Sequence, residues 1–333
     1  MFVEKENTLN ESDSQAEYQC RKALASAGFA FGEAPATFHW SQLVNPSGDK
    51  KAAIAAYEAL LDEEPENKSA LEGLAFIYQT KGDQDKSLLY RRRLREVESM
   101  AIGIDTLTYP EVISYLLART GEAESPVRVP TVYIAAHYDH YATAYDVYLS
   151  ESLKYCGPEL IRGQLQKSAK DRSDLSVLDI GCGTGLVAQE IQTFASAIDG
   201  VDVSQNILDI ASNKNLYRNL INADYLDYLD AMPAAYDLIV AADVLNYEGD
   251  LLAPFQKIAD SLEADGLFVF TVESGHKQDY LLRNTGRFQH RKNYILDIAK
   301  QTGLTVENQD DAIIRVDCGQ DVESLVFTLR KAG

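Results

Sequence analysis

From Ser176 onward, short apolar runs alternate with stretches of helical spacing. In order they read SVLDIG, TGLVAQEIQTFA, AIDGVDVS, QNILDIASNKN, NLINAD, YDLIVAADVL, LLAPFQKIADSL and GLFVFTVES. Strands and helices at this spacing predict βαβ units and a parallel sheet buried on both faces. The end of the chain differs: AIIRVDCGQDVESLVFTLRK predicts two strands joined by a turn at Gly319 to Asp321. Such a hairpin would give an antiparallel edge to an otherwise parallel sheet.

A different pattern occupies residues 48 to 98. GDKKAAIAAYEALLDEEPEN and GDQDKSLLYRRRLREVE begin 34 residues apart, with Gly48 and Asp49 recurring as Gly82 and Asp83 and Leu60 as Leu94. That period is the signature of stacked helical hairpins, in which each unit buries an apolar face against its neighbour. Ala53, Tyr57, Leu60 and Pro65, followed by Leu71, Leu74, Ala75 and Tyr78, resemble the tetratricopeptide (TPR) repeat; Arg91 departs from it, where an aromatic is usual. About two units are present, whereas a free-standing array needs about three, so an ordinary helical hairpin is the alternative. Residues 1–17 are polar and expected to be a disordered tail, with helical spacing beginning at Glu17. Residues 18–100 are expected as an all-α TPR-like domain. Residues 101–130, with Pro110, Pro126, Pro130, Gly103 and Gly121, read as a connector around one short helix, EVISYLLAR. Residues 131–333 then form the α/β domain.

A chain of 333 residues suits two domains, and 46% hydrophobic content allows a sizeable core. Charge narrows the partners. With 31 Lys and Arg against 51 Asp and Glu, the net charge is -20, a field that repels nucleic acid and anionic membranes. The basic stretch YRRRLR at 90–95 reads as one solvated helix face balanced by Glu96 and Glu98. Cys20, Cys156, Cys182 and Cys318 show no C-x-x-C spacing, which argues against a zinc site or a disulfide framework and for a reducing compartment. The acidic start is unlike a secretory signal, and no apolar run approaches the roughly 18 residues of a membrane helix, so a cytoplasmic protein is expected.

Three glycines, Gly181, Gly183 and Gly185, follow the first strand directly. Glycine takes positive φ and lets a ligand approach main-chain atoms. A dinucleotide fingerprint would need a further glycine at Leu186, and Asp179 would stand near a phosphate it repels. S-adenosylmethionine carries a sulfonium and an amino group instead, which carboxylates attract. Asp179, Gly181, Gly183 and Gly185 complete D-x-G-x-G-x-G, the motif of the class I S-adenosylmethionine-dependent methyltransferases, which the chain resembles. The resemblance implies a Rossmann-like, mostly parallel sheet. It also implies Asp202 on the ribose hydroxyls, Asp224 on the adenine amino group with Ala223 and Tyr225 beside it, and Ala242, Asp243 and Val244 beside the transferred methyl. Cys182, Val203 and Ile207 complete the expected cofactor set.

HYDHYATAYDVYLSESLKYCGPEL, residues 137–160, resembles the Tyr-Asp-x-x-Ala-x-x-Tyr-Asp helix that covers the cofactor in small-molecule methyltransferases. Tyr138, Tyr141 and Tyr145 share one face of it. TGRFQHRKNY is expected as a substrate-facing loop after the fifth strand. With the 48–98 repeat, these segments resemble predicted methyltransferases that carry TPR repeats.

In-line transfer from a sulfonium needs no metal, and a base only when the acceptor is still protonated. His290, His137 and His140 are candidate bases, with His290 favoured beside Arg287. Tyr138 and Tyr145 are further catalytic candidates, and Arg287, His290, Tyr141, Asn246 and Tyr247 are candidates for holding substrate. Ala242-Asp243-Val244-Leu245 is unlike the Asp/Asn-Pro-Pro-Tyr/Phe of enzymes that methylate base amino groups, which points to a small molecule or a protein side chain. The alternative is a catalytically silent fold acting as an interaction or sensor protein. On either reading the TPR-like helices are expected to bind a protein partner or a second copy.

Overall fold

The computed structural model describes residues 19–20, 22–23, 49–101, 103–104, 109–142, 145–147, 149, 153–169, 171–317 and 320–333. The expected tail and the Cys318–Gly319 turn lie outside these residues. The chain divides into two compact units, Met1–Ala101 with Asp105–Thr108, and Ile102–Ile104 with Tyr109–Gly333.

In the first unit, α1 (Lys50–Glu63), α2 (Lys68–Thr80) and α3 (Gln84–Ala101) follow one another through short turns. Each start is capped by an acidic or amide side chain. Asp49 accepts from the Lys51 and Ala52 amides, Asn67 from the Ala70 amide at 3.0 Å, and Asp83 from the Lys86 amide at 3.2 Å. Ala53, Tyr57, Leu60, Ala70, Leu71, Leu74 and Tyr78 are buried together, so the 34-residue period coincides with one apolar core. Arg91 reaches Gln79 Oε1 at 2.5 Å. The basic stretch is internally paired through Arg92–Glu96 and Arg95–Glu98.

The second unit opens with α4 (Pro110–Ala118), α5 (Thr131–Tyr141) and, after the single turn Tyr145–Val147, α6 (Gly157–Ser168). It continues β1 (Leu175–Ile180), α7 (Leu186–Ile191), β2 (Ala195–Asp202), α8 (Gln205–Ser212), β3 (Asn219–Asn222), α9 (Tyr225–Asp230), β4 (Tyr236–Ala241) and α10 (Leu252–Ser261). The last elements are β5 (Leu262–Gly275), β6 (Tyr280–Leu282), β7 (Phe288–Arg291), α11 (Lys292–Gln301), β8 (Leu304–Asp317) and β9 (Gln320–Lys331).

The strands run β3-β2-β1-β4-β5-β7-β6, with β1 to β4 parallel to their neighbours and β5 parallel to β4 and β7. β9 pairs antiparallel with β5 over Leu267–Glu273, and β8 with β9. Successive residues of β1 enter opposite cores. Val177 packs with Ile161, Ile191 and Val269, whereas Leu178 packs with Val201, Phe255 and Phe268.

One expectation is corrected here. TGRFQHRKNY is not a free loop. Phe288–Arg291 forms β7, parallel to Glu273–Gly275 at the end of β5 and antiparallel to β6. The short helix expected within the 101–130 connector is α4. α4 buries Val112, Tyr115 and Leu116 with Leu282 and Phe288, and the Tyr115 hydroxyl donates to the Gly286 carbonyl at 2.8 Å. Among the described residues no helix is long and apolar enough to cross a membrane.

Candidate functional site

β1, β2, β3 and β4 end on one side of the sheet, and the chain reverses its direction of travel across it between β1 and β4. Ligands of open α/β sheets bind at such a switch point. A cleft of about 100 Å³ lies there, lined by residues that follow each of these strands: Gly181 and Gly183, Asp202 and Val203, Ala223 and Asp224, Ala242 and Asp243.

The turn after β1 needs its glycines. Gly181, Gly183 and Gly185 have φ of +58°, +55° and +91°, a region that L side chains rarely adopt. The Gly183 amide donates to Asp202 Oδ2 at 3.0 Å, and the Ser204 amide to Oδ1 at 2.9 Å. The carboxylate is thereby aimed at the cleft with acceptor capacity remaining on both oxygens. Burial pushes the Asp202 pKa up, aided by Asp139, while the backbone donors oppose the rise.

Asp179 lies beneath the turn, 1% exposed, and does not line the cleft. Tyr217 donates to its Oδ2 at 2.8 Å; Oδ1 has no partner among the described residues. Burial raises its pKa from 3.8 to about 7, against the Tyr217 hydrogen bond. The folded protein therefore binds a proton more tightly than the unfolded chain, and this contribution to stability is lost as pH rises through about 7. Asp179→Asn is expected to remove that loss. Its stability gain over the wild type in thermal unfolding should grow between pH 4 and pH 7, up to about 4 kcal/mol. An equal difference at both ends of that range would contradict it.

Asp224 serves several partners. It caps α9 through the Leu226 amide at 2.9 Å, accepts from the Thr131 hydroxyl at 2.7 Å and pairs with Arg128 at 2.9 Å. Arg128 also holds Glu248 at 3.0 Å, to which the Tyr225 hydroxyl donates at 3.1 Å; burial lifts the Glu248 pKa to about 7. These contacts, with the Val129 amide on the Tyr247 carbonyl at 2.8 Å, pin residues 127–131 beside the cleft. Asp139 fastens the far end of α5 by accepting from the Ser204 hydroxyl at 2.6 Å and the Asn206 amide at 3.1 Å. Thr131, Ile134 and Tyr138 of this strap line the cleft.

Tyr138, Tyr145, Tyr155 and Tyr247 also line it, and the Tyr138 and Tyr247 hydroxyls are 2.7 Å apart. Beside them Asp243, at φ +60°, accepts from Arg287 at 2.7 Å and from Arg315 at 2.9 Å. Arg315, 3% exposed, also pairs with Glu273.

Of the expected cofactor set, Gly181, Gly183, Asp202, Val203, Ile207, Ala223, Asp224, Tyr225, Ala242, Asp243 and Val244 come together in the cleft lining. Cys182 is buried, with its sulfur against Gly200, and Gly185 starts α7.

Several other expectations are corrected. His290 is fully buried on β7, its Nε2 3.2 Å from the Gly249 carbonyl oxygen, and burial lowers its pKa to about 4. It does not reach the cleft and cannot be the base. His137, which stacks on Tyr133 and is likewise lowered to about 4 by burial, and the exposed His140 do not line it either. Asn246 is fully buried, bonded to Asp243 and to the Glu273 amide, and holds the chain after β4 instead of substrate. Arg287 is occupied by Asp243 and lies 5.1 Å over the Tyr247 ring. The Tyr141 side chain falls outside the described residues. Sequence reasoning missed Arg128, Thr131, Ile134, Tyr155, Glu248 and Arg315; a lone arginine in the apolar strand AIIRVD was the one available signal.

Comparison with known proteins adds to this geometry. The family model of the methyltransferase domain matches residues 149–309. A protein of Geobacillus sp. (strain WCH70) that carries a methyltransferase name is 26% identical over 153 residues, 44% of this chain and 62% of that protein. The ubiquinone biosynthesis O-methyltransferase of Thiobacillus denitrificans (strain ATCC 25259 / T1) is 24% identical over 184 residues, 47% of this chain and 78% of its own. The chain thus spans less than two thirds of the Geobacillus relative. Among solved structures, the (4+2)-cyclase SpnF superposes with a TM-score of 0.51 at 18% identity, covering 62% of this chain and 98% of that one. That likeness concerns the fold, which does not by itself set the chemistry. The matched domain is that of an S-adenosylmethionine-dependent methyltransferase.

Proposed function

We propose that the whole chain acts as an S-adenosylmethionine-dependent methyltransferase on a low-molecular-mass acceptor. The observation that carries this reading is Asp202, a carboxylate oriented by two backbone donors at the rim of a positive-φ glycine turn. Such a carboxylate matches a ribose diol, with one oxygen for each hydroxyl. Asp224 and Thr131 would orient the base. The cofactor would supply an electrophilic methyl on a cationic sulfur, which the surrounding carboxylates favour. The strap from Arg128 to Asp139 excludes water and holds the acceptor against the tyrosine-lined part of the cleft. A cleft lined by Thr131, Ile134 and Tyr138 of the strap as well as by the strand ends favours a small molecule over a protein side chain. A silent scaffold is the weaker reading, because it has no need of a carboxylate held toward an open cleft.

Calorimetric titration of the full chain with S-adenosylhomocysteine and separately with NADH tests this. Binding of the former alone is expected, weakened at least about 30-fold, or ~2 kcal/mol, in Asp202→Ala. Binding of NADH instead, or undiminished affinity in the variant, would count against the proposal.

A further inference from the structure

We propose that the tyrosine-lined part of the cleft takes an amine, whose methylated product is an ammonium ion held among the rings. This rests on the methyltransferase reading and adds the class of acceptor. Tyr138, Tyr145, Tyr155 and Tyr247 line the cleft. Tyr138 stands at 87° to both Tyr145 and Tyr247, with centroids 5.5 and 6.2 Å away. The rings therefore form walls set at right angles, an arrangement whose electron-rich faces attract a cation, quaternary ammonium above all.

Charge points the same way. Asp202, Asp224, Asp243 and Glu248 line the cleft, against Arg128 as the one lining cation among the described residues. Every guanidinium at the site is engaged: Arg128 by Asp224 and Glu248, Arg287 by Asp243, Arg315 by Asp243 and Glu273. None is left to grip a carboxylate, a phosphate or a thiolate. Arg287 already covers one face of Tyr247, but its charge is met by Asp243 at 2.7 Å.

Proton transfer gives the third line of argument. A phenol or alcohol acceptor needs a base, and no histidine or lysine lines the cleft among the described residues. The Asp224 and Glu248 carboxylates are held by Arg128, Thr131 and Tyr225. An amine that has given up its proton to water before binding needs no base in the cleft. Its nitrogen lone pair forms the new N–C bond while the methyl–sulfur bond breaks, leaving its electron pair on sulfur. The positive charge passes from sulfur to nitrogen, and a primary or secondary amine then gives its proton to water. The charge thus appears on the acceptor, where the tyrosine faces stabilise it.

Choline, 3,3-dimethylbutan-1-ol and 3,3-dimethylbutanoate present similar bulk as a cation, a neutral molecule and an anion. Each is titrated calorimetrically into the full chain after saturation with S-adenosylhomocysteine. Choline is expected to bind about 10-fold more tightly than its neutral counterpart, and the anion not at all. Tyr247→Leu and Tyr145→Leu should each remove most of that preference, whereas Tyr247→Phe should keep it. No binding of choline, equal binding of choline and the alcohol, or preference for the anion overturns the amine proposal and leaves the methyltransferase reading standing. The heat of S-adenosylhomocysteine binding, recorded first, reports that reading and the folding of each variant. Its absence in the unsubstituted chain overturns both.

Discussion

Arg315→Met is expected to destabilise the second unit by about 3–5 kcal/mol, lowering Tm by on the order of 10 °C. The guanidinium is 3% exposed and joins Asp243 to Glu273, itself 5% exposed. Removing it leaves Glu273 buried without its cationic partner. Asp243 keeps Arg287 but loses the second of its two guanidinium partners. The size of the loss thus reflects the orphaned carboxylate more than the value of the pair. Glu273→Gln in the Arg315→Met background should therefore recover stability, although alone it would reduce it. Thermal and urea unfolding of the four proteins in this cycle provides the check; additive losses would show that the two residues do not act as a pair.

The second large effect is expected from one methyl group. At Gly181 an added Cβ would lie 2.5 Å from Val244 Cγ2, and φ is +58°. Val244 is β-branched and has little rotamer freedom with which to retreat. Gly181→Ala should therefore cost about 2–4 kcal/mol, combining backbone strain with overpacking. At Gly183 φ is similar, +55°, but the nearest atom to a Cβ is 4.0 Å away, so Gly183→Ala should carry only the strain, about 1–2 kcal/mol. Denaturant unfolding of the two variants separates steric from conformational cost. Equal losses would mean that Val244 moves aside freely.

The same positions explain what could be read in advance. Gly181, Gly183 and Gly185 were legible because one local requirement, positive φ, accepts few residue types. β1, β2 and β4 were legible because burial on both faces leaves continuous apolar runs. β7 was hidden because only Phe288 and His290 point inward, and His290 resembles chemistry when it is alternation. Its strand state comes from pairing with Glu273–Gly275, a contact between distant segments that local propensity does not carry. Arg128 was hidden for a related reason. Proline and glycine around it describe an irregular backbone correctly, yet its partners, Asp224 and Glu248, lie far along the chain. Asn246 and Arg287 belong to the pattern expected of the fold, and only their burial and partners show that they stabilise Asp243.

Asp224 touches the start of α9, the arginine of the strap and the first hydroxyl of α5 with a single carboxylate. A ligand donor that reaches this group enters a shared equilibrium. By reciprocity, the factor by which the bound ligand shifts the closure of the strap is the factor by which closure shifts the affinity for the ligand. Enclosure and affinity are then coupled through one carboxylate, and a substitution at Arg128 changes the residence time of the bound molecule through the strap as well as through the cleft wall.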